Sequence, residues 1–201
     1  KKYDPSVYAH ISTFRSDPGK VWELAMELIE MCRNAEPNSA HRALATLESR
    51  GLLHGIITQN IDDLHRRAGS RNVIAYHGTV ENAVCDRCHV TWRIPAGKVP
   101  LCNNCGGIMK PAFVLFGEPV PAAAYLEARN LASFSDVFIV AGTSANVQPA
   151  ADLPFIAKEN GACIIEMNME STGLTNYITD CFIQGPLEET LPALVSLLQG
   201  R

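Results

Sequence analysis

The chain has 201 residues, of which 47% are hydrophobic and 19% charged, a composition that argues against disorder and low-complexity repeats. Its formal net charge of −4 provides no basic field that would attract nucleic acid or anionic lipid. No apolar run approaches the roughly 20 residues of a membrane span, so we expect a cytoplasmic protein with no nucleic-acid or membrane partner.

Two helices are predicted near the start of the chain. Asp17 and Pro18 are suited to the N-cap and the first helical position, and apolar residues then recur at helical spacing as far as Arg33. A second helix is predicted after Asn38, with Gly51 just beyond its end, where glycine tolerates a left-handed backbone.

The rest of the chain alternates short apolar runs with helical patterns. The predicted strands are Leu52–Thr58, Val73–Tyr76, Val137–Ala141 and Ala162–Met167, and the predicted helices are Pro121–Phe134, Pro149–Asn160 and Leu187–Gln199. Strands that lack polar alternation and are separated by helices indicate an α/β fold, in which helices cover both faces of a parallel sheet. Ligands of such sheets bind at the carboxyl ends of the strands.

The segment Gly78–Lys110 interrupts this alternation and is rich in cysteine, so we interpret it as an inserted module. It contains two Cys-x-x-Cys pairs, 13 residues apart, formed by Cys85, Cys88, Cys102 and Cys105. Four thiolates in two such pairs suit a tetrahedral structural zinc ion with no open coordination position, and two disulfides or unrelated thiols are the alternatives. The other cysteines, Cys32, Cys163 and Cys181, lie in apolar runs and are predicted to be small core residues.

Polar residues follow several predicted strands. Thr58-Gln59-Asn60-Ile61-Asp62, His77, Gly142-Thr143-Ser144 and the pair Asn168 and Glu170 all stand at such positions. Each has an ordinary alternative: Asn60 or Asp62 can cap a helix, a lone histidine is usually structural, and glycine turns are common. From these residues alone we predict an α/β protein with a structural zinc module and a nucleotide site.

Taken together, the motifs resemble those of the sirtuin family, the NAD-dependent protein lysine deacylases. The matching segments are Thr58–Asp62 with Leu64-His65 and Ala68-Gly69, His77-Gly78, the four cysteines, Val114–Glu118, Gly142–Ser144 with Val147 and Pro149, and Asn168–Glu170. The resemblance implies a Rossmann-like NAD-binding domain formed by residues 39–77 and 112–201. It also implies a smaller domain, made of a helical part at residues 1–38 and a zinc-ribbon-like module at residues 78–111.

The resemblance also implies a role for each matching residue. The catalytic residues would be His77, Asn60 and Asp62, and the metal ligands Cys85, Cys88, Cys102 and Cys105. The cofactor would contact Gln59, Asn60, Ile61, Asp62, Gly142, Thr143, Ser144, Asn168, Met169, Glu170 and Leu187. An acyl-lysine peptide would add as a strand beside Gly117 and Glu118, with its side chain passing Val114 and Phe116.

The implied activity is transfer of an acyl group from lysine to ADP-ribose, with release of nicotinamide and with NAD consumed as a co-substrate. His77 would act as the general base on a ribose hydroxyl. The alternatives are a module that binds acyl-lysine peptides with little turnover, and a protein ADP-ribosyltransferase.

Two departures from the family pattern affect these expectations. Family members that favour acidic acyl groups carry a Tyr-x-x-Arg pair where this chain has Ala25 and Leu28, so we expect neutral acyl groups to be preferred over succinyl. The family's opening strand, its Gly-Ala-Gly-x-Ser turn and its cofactor loop have no counterpart in the 201 residues, so we expect the intact protein to carry them upstream.

Overall fold

The computed structural model describes residues 4–94 and 99–198. Its first elements, in chain order, are α1 Pro5–Tyr8, α2 Ile11–Ser16, α3 Pro18–Asn34, α4 Ser39–Ser49, β1 Ile56–Thr58, α5 Leu64–Arg67, β2 Val73–Ala75, β3 Gly78–Cys85, β4 Thr91–Arg93 and β5 Met109–Phe113. They are followed by α6 Ala122–Ser133, β6 Val137–Ala141, the 3-10 turn η1 Ala150–Asp152, α7 Leu153–Glu159, β7 Cys163–Asn168, β8 Cys181–Gln184 and α8 Leu187–Leu197. The predicted last residue of the final helix, Gln199, lies outside the described residues.

Packing divides the chain into two compact units. Unit 1 contains residues 1–35, 59–63 and 77–121, and unit 2 contains residues 36–58, 64–76 and 122–201. This division groups residues 59–63, 77 and 112–121 with unit 1 and residues 36–38 with unit 2. The sequence-based boundaries assign the first set to the Rossmann-like domain and residues 36–38 to the smaller domain, and those boundaries remain a prediction.

Unit 1 is built on a three-stranded antiparallel sheet in the order β4-β3-β5. Helices α2 and α3 share one hydrophobic core with this sheet, and the indole Nε1 of Trp22 donates a buried hydrogen bond to the carbonyl oxygen of Met109 at 2.8 Å. Ala83 and Cys85 are fully buried in the same core. The inserted segment therefore has regular strands and apolar packing that its weak apolar periodicity did not indicate.

Unit 2 contains two parallel sheets, β1-β2 and β6-β7-β8. Met167 of β7 packs with Leu47 of α4 and Leu191 of α8, and α7 packs against β6 and β7. The predicted α/β class with parallel strands and helices is confirmed. Strand β8 was not predicted, because Cys181–Gln184 is too short to show a periodic pattern.

Local hydrogen bonds explain the smaller differences from the predicted elements. The first strand begins at Ile56, because the N–H groups of Leu52 and Leu53 both bond to the Leu47 carbonyl and close α4. Asn38 caps α4 as predicted, by accepting from the N–H of His41, whereas the Asp17 side chain makes no capping bond to α3.

The three cysteines outside the Cys-x-x-Cys pairs differ in exposure. Cys32 is half-buried against the core of unit 1, but Cys163 and Cys181 are exposed, so their predicted core role is wrong. Both exposed residues are the first of their strands. Separately, none of the helices that the structure describes is both long and apolar enough to cross a bilayer.

Candidate active site

His77 is the second residue of the short turn, Tyr76-His77, that joins strand β2 to β3. Its carbonyl oxygen accepts a 2.9 Å hydrogen bond from the N–H of Val114. Gly78 follows with φ of 80°, and a Cβ at this position would overlap the carbonyl oxygen of Ala112. Only glycine therefore fits here, which explains why the His-Gly pair occurs at this crossing of two backbones.

The electrostatic environment of His77 favours the neutral imidazole. Burial lowers the pKa of His77 below the ordinary 6.5, and a hydrogen bond to the Gln59 backbone opposes this effect only in part. A ring N–H held by a backbone carbonyl leaves the other ring nitrogen as a proton acceptor. The geometry thus fits a general base that works near neutral pH.

The segment Gln59–Asp63 belongs to unit 1 together with His77. The Ile61 carbonyl accepts a 3.0 Å hydrogen bond from the N–H of Val80, and the Ile61 side chain packs on the core. Asp62 lies close enough to Cys32 for its charge, after burial, to raise the pKa of that thiol. Cys32 is therefore a protonated, unreactive thiol. The structure also brings the predicted ribose-binding segment and the predicted base into one unit.

The predicted substrate strand, Val114–Glu118, follows β5. Phe116 pairs with the start of α2: its N–H donates to Ala9 at 2.7 Å, and its carbonyl accepts from Ile11 at 3.0 Å. The Phe116 side chain is 57% exposed. Gly117 has φ of 84°, and a Cβ there would lie 3.0 Å from the His10 ring.

The Glu118 side chain turns inward. One carboxylate oxygen accepts from the Lys110 Nζ at 3.0 Å and from the N–H of Leu115 at 2.8 Å. The Lys110 ammonium also donates to the carbonyls of Pro111 and Phe113, each at 2.9 Å. Glu118 therefore fixes the shape of the predicted substrate strand, and Lys110 is a partner of this segment that sequence reasoning missed because it stands alone in an apolar strand.

In unit 2, the predicted adenosine-side residues meet at the carboxyl ends of β6, β7 and β8. The Asn168 amide donates to the Thr143 carbonyl at 2.8 Å, which joins the turn after β6 to the end of β7. Gly142 has φ of 62°, and a Cβ there would lie 2.9 Å from Leu187 Cδ1. Met169 and Glu170 are exposed directly beyond β7. These residues therefore lie together at the edge of the sheet where ligands of parallel α/β folds bind.

The four cysteines converge on one point in unit 1. All four sulfur atoms lie within 4.8 Å of one another, with Cys85 and Cys105 separated by 3.5 Å and Cys88 and Cys102 by 3.6 Å. A tetrahedron with Zn–S bonds of about 2.3 Å has sulfur atoms about 3.8 Å apart, whereas a disulfide needs about 2.05 Å. The alternative of two disulfides is therefore excluded, and the donor set fits zinc.

The surroundings of two of the sulfur atoms, those of Cys85 and Cys88, also suit thiolates. The N–H groups of Arg87 and Cys88 point at the Cys85 sulfur from 3.4 Å. The N–H of Val90 and the side chain of Asn104 lower the pKa of Cys88 to about 6. A Cβ at Gly107 would lie 3.1 Å from the Cys85 sulfur, so glycine keeps this side of the cluster open.

Comparison with known proteins decides the family. A model described as the Sir2 family matches residues 1–149. The chain belongs to the Sir2 family. It is 45% identical over 204 residues to "NAD-dependent protein deacylase 2" of Pyrobaculum aerophilum, covering 100% of this chain and 82% of that relative. It is 44% identical to "NAD-dependent protein deacylase 2" of Archaeoglobus fulgidus, covering 97% of this chain and 79% of the relative.

Solved Sir2 structures have the same fold. A Sir2 homologue in complex with NAD superposes with a TM-score of 0.94 at 42% identity, covering 99% of this chain and 79% of its own. A Sir2 protein bound to an acetylated peptide gives a TM-score of 0.91 at 36% identity, with 98% and 85% covered. The sirtuin resemblance inferred from the sequence is confirmed.

Proposed function

We propose that the protein is an NAD-dependent protein lysine deacylase, which transfers the acyl group of a modified lysine to ADP-ribose and releases nicotinamide. The names of the Sir2 relatives confirm the predicted reaction class, its co-substrate NAD and its acylated-protein substrate. They support neither the peptide-binding module nor the ADP-ribosyltransferase. The four cysteines hold one structural zinc ion, because their donor set is complete without water or substrate.

The observation that carries the proposal is the half-buried imidazole of His77, whose pKa is lowered by burial and which is hydrogen-bonded to the Gln59 backbone. The Gln59 carbonyl fixes one ring nitrogen, and the other accepts a proton from a ribose hydroxyl of the co-substrate. Gln59, Asn60, Ile61 and Asp62 bind the nicotinamide ribose in this proposal, and Asn60 and Asp62 assist catalysis there. The segments 142–144 and 168–170, with Leu187, bind the adenosine side.

The peptide adds alongside Gly117 and Glu118, with its acyl-lysine passing Val114 and Phe116. The Phe116 N–H and carbonyl are already paired with Ala9 and Ile11, and those of Leu115 are bonded to Glu118. A peptide strand therefore pairs with the backbone beyond them, at Gly117 and Glu118. Because this pairing uses main-chain groups, it requires little of the peptide sequence beyond the acylated lysine.

The acyl preference follows from two residues of α3. Ala25 is fully buried in the core of unit 1, and Leu28 packs against the same core. Neither side chain offers a charge that would offset the desolvation of a buried carboxylate. We therefore propose neutral acyl groups, acetyl or longer, as substrates. We also propose a cytoplasmic location, supported by the seven cysteines, all within the described residues, none of which forms a disulfide.

The test measures nicotinamide release with and without an acetyl-lysine peptide. The wild-type protein should release nicotinamide only with the peptide, and His77→Ala should abolish turnover of the peptide to the free lysine while ADP-ribose still binds. His89→Ala, which alters an imidazole beside the zinc cluster, is the matched control. Release that does not depend on the peptide, or full activity of His77→Ala, would contradict the proposal.

A further inference from the structure

Glu166 is a fully buried acidic residue at the centre of β7, and the proposed reaction does not use it. Its carboxylate accepts three hydrogen bonds from threonine hydroxyls: Thr172 at 2.6 Å, Thr175 at 2.7 Å and Thr179 at 3.0 Å. All three donors come from the segment 169–180, which leads from β7 to β8. A single side chain of the strand thus ties three points of this segment to the sheet.

The backbone determines in which direction two of these hydrogen bonds run. The Thr172 hydroxyl oxygen accepts from the N–H of Leu174 at 3.1 Å, and the Thr175 hydroxyl oxygen accepts from the N–H of Thr172 at 2.8 Å. Each hydroxyl proton is then available for Glu166. A carboxylate can accept from all three hydroxyls, whereas the amide of glutamine has one acceptor oxygen and one donor nitrogen.

The tethered segment begins with residues proposed to bind NAD. Asn168 donates to the Thr143 carbonyl, and the Gln184 amide donates to the Met169 carbonyl at 3.0 Å. Met169 and Glu170 are exposed, and Glu170 lies between the anchored backbone of Met169 and the first of the threonines. The path of the chain from Met169 through Glu170 therefore depends on how firmly the remainder of the segment is held.

We propose that Glu166 is a positioning residue for the co-substrate: it holds segment 169–180 in the conformation in which Met169 and Glu170 receive the adenosine part of NAD. The inference rests on the proposed function. If only a fraction of molecules have the segment in its binding conformation, the observed dissociation constant rises by the reciprocal of that fraction. Loss of the carboxylate should thus weaken NAD binding without altering the chemical step.

The experiment compares wild-type protein with Glu166→Gln and Thr179→Val, using ADP-ribose as the binding probe in titration calorimetry. Thr46→Val is the control, because it removes a hydroxyl that bonds to the Arg42 carbonyl within α4. We expect ADP-ribose to bind about fivefold more weakly to Glu166→Gln and about threefold more weakly to Thr179→Val, because only a fraction of the variant molecules would have segment 169–180 in its binding conformation. The KM for NAD should rise by similar factors, while kcat and the KM for the acetyl-lysine peptide stay constant.

Hydrogen exchange separates positioning from general stability. Amides of segment 169–180 should exchange faster in Glu166→Gln, and those of β6 should be unchanged. Wild-type affinity in both variants would overturn the inference, as would an equal rise in the KM values for NAD and peptide. If Glu166→Gln does not fold, the ADP-ribose affinity of Thr179→Val tests the inference, since valine preserves the volume of threonine. Failure of the wild-type protein to bind ADP-ribose would instead overturn the proposed function itself.

Discussion

The ion pair of Lys110 and Glu118 should contribute measurably to stability, because both side chains are largely removed from water. The two side chains are 11% and 19% exposed. The three N–H groups of the ammonium point at three fixed acceptors, the carboxylate and the carbonyls of Pro111 and Phe113. In Glu118→Gln this geometry is nearly preserved, but the buried positive charge loses its counter-charge.

Removing one partner of a buried ion pair costs about 3 to 5 kcal/mol, and the retained amide oxygen places Glu118→Gln near the lower end of this range. For a chain of about 200 residues, each kcal/mol lowers the melting temperature by roughly 2 to 4 °C. Thermal unfolding followed by circular dichroism should therefore show a fall of about 6 to 12 °C. Arg93→Met is the matched control, because its ion pair with Glu81 is exposed on the arginine side and should be worth less than about 1 kcal/mol.

A double-mutant cycle tests the cause of the loss. Lys110→Met combined with Glu118→Leu replaces both charges by apolar groups and should be more stable than either single variant, because no unpaired charge remains. The argument that the pair is buried and coupled would be refuted if the stability losses of the two single variants simply added in the double variant. A melting temperature of Glu118→Gln within about 1 °C of wild type would also refute it.

Three further predictions concern the zinc cluster, the base and the acyl group. Metal analysis should find one zinc per chain, and Cys102→Ser should lose both metal and thermal stability, whereas the exposed Cys163→Ser should keep both. Because burial lowers the pKa of His77, kcat/KM should rise with pH to a plateau through a midpoint below 6.5. A midpoint above that value would contradict the assignment of His77 as the general base. Acetyl-lysine peptides should be turned over at least tenfold faster than succinyl-lysine peptides. This factor corresponds to about 1.4 kcal/mol of activation free energy, which is the smallest cost that we expect for burying an unpaired carboxylate. Comparable rates would contradict the role assigned to Ala25 and Leu28.

The cysteine cluster and the polar sheet edge could be predicted from the sequence, because both depend on local chemistry. The spacing of Cys85, Cys88, Cys102 and Cys105 specifies a tetrahedral site by itself, because each pair needs only one tight turn. Gly142 and Asn168 were also predictable as neighbours, since the carboxyl ends of adjacent parallel strands lie at one edge of a sheet.

Exposure along the strands was less predictable. Cys163 and Cys181 stand in apolar runs like buried residues, yet each opens its strand and is exposed. An apolar run shows that a strand exists, whereas the burial of its first residue depends on which loop covers it. That information lies in distant parts of the chain, and no local pattern carries it.

Lys110 and Glu166 are the residues that sequence reasoning passed over, and they have the same physical role. Each is an isolated charged residue at a buried position of a strand, and each bonds to polar groups of the segment that follows that strand. A charge in such a position is costly unless it is satisfied, so its partners must be close and well ordered. In both cases the segment held in this way, 114–118 or 169–180, presents residues proposed to bind substrate or NAD. A lone charged residue within an apolar strand is therefore a sequence signal for an ordered binding loop, and it should be sought before the loop itself is interpreted.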